Sequence, residues 1–104
     1  MKYSFSGYEI NIIWHLHRHK DYNKKHTSIE NLKKGVSRDR GKFIDEAIKN
    51  LISQQIIIVQ SKTKEIHVSL NTSKVNIIRK VTSWYASNMR NLEREDFLSS
   101  SYEF

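Results

Sequence analysis

His15, His17 and His19, with Asp21 and His26 close behind, are the residues of this chain best suited by type to hold a metal ion. On a strand, that alternation would put three imidazoles on one face. The neighbouring apolar residues Ile12, Ile13 and Leu16 repeat at helical spacing instead, so only His15 and His19, four apart, share a side. Two ligands without a third from the same element fall short of a coordination sphere. No metal is expected, and His17 reads as a packing residue at a polar helix end. Catalytic chemistry is scarcer still. Cysteine is absent, which removes a thiolate nucleophile, a cysteine-type zinc site and a disulfide framework. There is no nucleophile elbow, no glycine loop to cradle phosphate and no cluster of carboxylates in apolar surroundings. The glycines Gly7, Gly35 and Gly41 fall at turns or near helix ends. The chain is expected to be no enzyme, with no catalytic residues and no cofactor.

What remains is charge. The 18 Lys and Arg against 11 Asp and Glu give a net of +7 and a pI near 9.7. The excess is uneven: residues 1–92 hold 17 of the basic and 7 of the acidic side chains, and residues 93–104 set Arg94 against Glu93, Glu95, Asp96 and Glu103. A basic body with an acidic end points to a polyanionic partner. Arg38, Arg40 and Lys42 cluster where a helix begins, the place from which side chains reach base edges when a helix enters the major groove of duplex DNA. Ser28, Lys33, Lys34 and Ser37 are spaced to hold phosphates, which set register without reading sequence. Lys62 and Lys64 would reach the flanking backbone from a hairpin tip. Asp45 and Glu46 on the same helix would repel phosphate, and Lys49 reads as a solvated charge.

These residues need elements to hold them. Ser6-Gly7-Tyr8-Glu9 matches a capping box opening a helix to about His19, and Thr27-x-x-Glu30 matches another opening a short helix. Gly35 sits where a left-handed cap belongs, and Ser37 is an N-cap for a helix over roughly 38–53 whose core face is Ile44, Ala47, Ile48 and Leu51. Gly41 weakens its first turn, by up to ~1 kcal/mol against alanine. Ile56 to Gln60 and Glu65 to Leu70 read as two strands of a hairpin. Val75, Ile78, Val81, Tyr85, Met89 and Leu92 then recur at helical spacing, predicting one long helix over roughly 74–95. Such a helix, about 30 Å long, would outreach a domain of this size and need a partner to cover its far end. Trp14, Ile78, Val81, Trp84, Tyr85 and Leu92 are therefore expected at a homodimer interface.

The order helix, helix, turn, helix, hairpin, helix resembles the winged-helix branch of helix-turn-helix proteins. The run Phe43-Ile44-x-x-Ala47-Ile48-x-x-Leu51-Ile52-x-x-x-Ile56-Ile57 is similar to that family's recognition helix leading into its wing. The resemblance spans about residues 7–70. It implies an α+β, mostly α fold: a winged-helix domain over 1–71, a dimerisation helix over 72–96 and a flexible acidic tail over 97–104. It further implies a small homodimeric transcription regulator of prokaryotic or archaeal type, acting by repression on an inverted repeat of double-stranded DNA. The same family includes modules that assemble proteins or RNA without reading DNA, and that is the rival expectation. No apolar run is long enough to span a bilayer and no secretory leader is evident, so a cytoplasmic protein with no membrane partner is expected.

Overall fold

Ser6 closes the first turn of helix α1 (Gly7–Arg18) by accepting a hydrogen bond from the Glu9 amide at 3.2 Å. Two apolar lines run down this helix, and both are used. Ile10, Ile13 and Leu16 have no exposed surface and Ile12 almost none, because α1 lies at the centre of the molecule with other helices packed on its two sides. The computed structural model describes residues 2–34, 36–60 and 65–104. In chain order these form β1 (Ser4–Ser6), α1, β2 (Thr27–Ser28), α2 (Ile29–Leu32), α3 (Arg38–Ser53), β3 (Ile57–Val59), β4 (His67–Leu70), α4 (Val75–Asn88), α5 (Arg94–Ser99) and β5 (Ser101–Glu103). The fold is α+β and mostly α, with two small antiparallel sheets.

The expected capping box at Thr27 does not form. Ser28 is the cap, its hydroxyl accepting from the Asn31 amide at 3.1 Å, because Thr27 and Ser28 are extended and pair with Val68 and His67. The gain of a strand pairing shifts the helix start by one residue. Helix α3 begins and ends where its apolar stripe predicts, and Ile44, Ala47, Ile48 and Leu51 are buried. Beyond it, β3 pairs with β4, Ile57 opposite Leu70 and Val59 opposite Val68, giving a three-stranded sheet of order β2-β4-β3. Val68 and Leu70 enter the core as alternation demands, while Ile66 stays 52% exposed. The expected glycine cap at Gly35 and the hairpin tip with Lys62 and Lys64 lie outside the described residues.

The long C-terminal helix is a correction. Helix α4 stops at Asn88, a 3₁₀ turn covers Met89–Asn91, and the chain reverses into α5 and β5. The stretch Ser87-Asn88-x-x-Asn91 is made of weak helix formers, and the Asn88 side-chain amide donates to the Trp84 carbonyl at 2.8 Å. The decisive term is apolar surface farther on. Phe97 and Leu98 are each 4% exposed, and Phe97, Tyr102 and Phe104 pack against Trp84 and Tyr85, the Trp84–Tyr102 ring centroids being 4.9 Å apart. β5 pairs with β1, Phe5 opposite Tyr102. Residues 97–104 are therefore packed and paired, not a flexible tail.

The same return accounts for the residues expected at a dimer seam. Ile78 and Val81 are fully buried in the chain's own core; Trp14 packs on Tyr85 at 5.2 Å, and Trp84, Tyr85 and Leu92 lie against that core. The outward face of α4 carries Asn76, Arg79, Lys80, Ser83, Ala86 and Ser87, in which a lone alanine makes no apolar seam. A single hydrophobic cluster takes residues from all three expected segments, so the divisions at 71 and 96 do not separate independent cores. Among the described residues no helix is long and apolar enough to cross a membrane.

Candidate nucleic-acid interface

Helix α3 presents opposite chemistry on its two sides because its period is 3.6 residues. Away from the core, Arg38, Lys42 and Lys49 are exposed and, among the described residues, in no ion pair. Lys42 Nζ lies 5.3 Å from the centre of the Phe43 ring, which in turn stacks on Tyr8 at 5.6 Å. That places the ammonium itself against the face of the ring, a cation–π contact, on a side chain that stays exposed. Asp39, Asp45 and Glu46 are exposed on the same helix, so its outer surface alternates in sign. Lys33 offsets part of this, with Nζ 3.0 Å from the Asp45 carboxylate. Lys34 and Ser37 are exposed beside it, and the Ser37 hydroxyl makes no capping bond although the residue occupies the N-cap.

Two of the expected DNA-facing residues are elsewhere. Ser28 is 6% exposed and its hydroxyl is committed to capping α2, so it does not stand at the surface. Arg40 lies four residues before Ile44, on the core side of α3. It points into the gap toward α5, where its guanidinium donates to Glu95. That bond, more than the charge alone, holds Arg40 above the usual arginine range. The spacing from Arg40 through Ile44 to Ile48 carried this information; reading the three cations only as neighbours in sequence missed it.

The gap is a groove of about 590 Å³ between α1, the start of α3 and α5. Arg18 and Arg94 also line it, and neither was singled out by pattern. Arg18 carried no assigned role, and Arg94 counted only as the one base set against the acidic end of the chain.

The histidines form pairs. His15 and His19 have ring centroids 4.5 Å apart on α1. His26 and His67, remote in sequence, share a hydrogen between their Nδ1 atoms at 2.9 Å, and His67 Nε2 reaches Glu65 at 3.3 Å. His17 Nδ1 meets the Tyr22 hydroxyl at 3.0 Å, and burial pushes that hydroxyl's pKa up, with Arg79 opposing. Among the described residues, no three metal-binding side chains converge. Burial, reinforced by His19 and opposed by Asp21, holds His15 below the usual histidine range. The unfolded chain then binds the extra proton, so this contribution to stability is present above about pH 6.5 and is lost as pH falls below it. The thermal midpoint should therefore drop between pH 7 and pH 5.5, and His15→Gln should shallow that drop, read by circular dichroism melts across pH.

Compared with known proteins, the chain matches no family model, no curated protein and no solved structure.

Proposed function

We propose that the chain is a winged-helix protein that binds duplex DNA through the outer face of α3, most simply as a small transcription regulator. One observation carries the reading. Strand β2 precedes α2, only residues 33–37 separate α2 from α3 in sequence, and β2 joins the later strands in a sheet of order β2-β4-β3, leaving Arg38 and Lys42 exposed near the start of α3. A helix so supported has its first turns free to enter a major groove, where an arginine paired to guanine discriminates by roughly 1–3 kcal/mol. Lys34 and the uncapped Ser37 hydroxyl stand where a phosphate would be held. The segment joining β3 to β4 carries Lys62 and Lys64, cations of the type the flanking backbone would attract.

No two-fold arrangement belongs to this reading, because the apolar seam that motivated it is covered by the chain's own C-terminal return. A single unit reads a short, asymmetric site. The test is selection of bound sequences from random duplex DNA: a short consensus without inverted symmetry, and binding that falls steeply with salt, is the expected result. No enrichment together with salt-insensitive binding would sink the reading.

A second reading has its own support. The alternating charge on α3 and the exposed Phe43, Val59 and Ile66, at 43%, 46% and 52%, suit a protein-binding surface better than a phosphate-binding one. In that case an interaction module would keep its partner at salt concentrations that strip DNA.

A further inference from the structure

We propose that the groove between α1, α3 and α5 binds a small amphipathic carboxylate, an organic acid with an apolar body. Its lining combines apolar walls with cationic groups, and Asn11, His15 and His19 add polar side chains between them. Ile12, Trp14, Val36 and Leu98 give it apolar and aromatic walls. Arg18, Arg40 and Arg94 give it cationic groups, and no carboxylate lines it among the described residues. Its volume of about 590 Å³ falls within the range of small-molecule sites.

The charge arrangement selects the ligand class. Guanidiniums gathered at one groove repel one another and favour an anion among them. Glu95 answers only Arg40, from a side chain that is 65% exposed. Arg18 and Arg94 form no ion pair among the described residues. A carboxylate entering the groove can accept paired hydrogen bonds from a guanidinium fork, while its hydrocarbon portion covers Trp14 and Leu98. A polyanion would meet the cations but leave the apolar walls wet. A neutral lipid would fill the walls and leave the cations unanswered. The combination fits a small acid best, and it stands independently of whether α3 binds DNA.

Calorimetric titration with decanoate tests this, with decanol as the neutral counterpart. Saturable binding of one decanoate per chain is expected, at least tenfold tighter than decanol. Arg18→Gln with Arg94→Gln, both exposed and outside the core, should weaken decanoate binding about tenfold or more while the circular dichroism melt is kept. Glu95→Gln, which releases Arg40, should tighten it severalfold. Absence of saturable decanoate binding, equal binding of decanol, or unchanged affinity in the double variant overturns the proposal. So does a duplex oligonucleotide that displaces bound decanoate and itself binds more weakly to the double variant, since the groove would then belong to the phosphate backbone.

Discussion

Gly7→Ala should destabilise the protein by roughly 3 kcal/mol, and Gly41→Ala should stabilise it by up to about 1 kcal/mol. A Cβ on Gly7 would lie 2.1 Å from the Phe97 carbonyl oxygen and 2.7 Å from the Leu98 Cα. Those are backbone atoms of α5, which cannot rotate aside, so the end of α5 must move off the start of α1. The Gly7 amide also donates to the Ser100 carbonyl at 3.1 Å, and that bond would lengthen with the same displacement. Overpacking a close approach costs about 1–3 kcal/mol or somewhat more, and a weakened hydrogen bond adds about 1. Gly41 is the reverse case. Its Cβ would meet only the flexible end of Lys33, at an ordinary 3.7 Å, so alanine in a helix restricts the unfolded chain at no steric expense. At about 4–8 °C per kcal/mol for a domain near this size, thermal melts should separate the two variants by more than 10 °C. If Gly7→Ala melts with the parent protein, the close seating of α5 on α1 is wrong.

That pair marks the boundary of what sequence pattern reveals. Helices α1 and α3 are written locally, in stripes such as Ile44-Ala47-Ile48-Leu51 and in Ser6 placed before Glu9. The hairpin is written in a β-branched run followed by strict alternation. The end of α4 is different. Val75 through Leu92 keeps helical spacing past Asn88, and nothing nearby says that Phe97, Tyr102 and Phe104 will fold back onto Trp84 and Tyr85. The pairing of β5 with β1 joins the two ends of the chain, an arrangement with no local signature. The same holds for His26 beside His67, and for the strand at Thr27 and Ser28, which exists only because β4 offers an edge. In the candidate interface, Lys42 and Arg38 were visible as an exposed face; the same periodicity puts Arg40 on the core side, but its place in the sequence groups it with them as a DNA contact. Arg18 and Arg94 were not visible, because their groove is made by three elements that meet only in the fold.

If the outer face of α3 meets DNA, replacing Arg38 and Lys42 together by glutamine should flatten the log–log salt dependence of duplex binding by about 1.8 units, at ~0.9 for each phosphate no longer neutralised. Near 0.15 M salt the same counterion term corresponds to roughly a thirtyfold loss of affinity for the pair. If either residue instead pairs with a base, the slope changes less and discrimination at one position relaxes. The acidic residues give the opposite sign. Asp39 and Asp45 are exposed among the cations, so Asp39→Asn with Asp45→Asn should tighten binding and steepen the slope; the second change also frees Lys33, which now pairs with Asp45 at 3.0 Å. Arg40→Gln is the internal control, because that guanidinium lines the groove and pairs with Glu95 at its exposed edge, away from the outer face. Its slope should match the parent's. Fluorescence anisotropy with a labelled duplex, titrated at several salt concentrations, reads all of these. A slope unmoved by the Arg38 and Lys42 pair but lowered by Arg40→Gln would transfer the anion site from the outer face of α3 to the groove beneath it, and the orientation of the whole domain on DNA would have to be reversed.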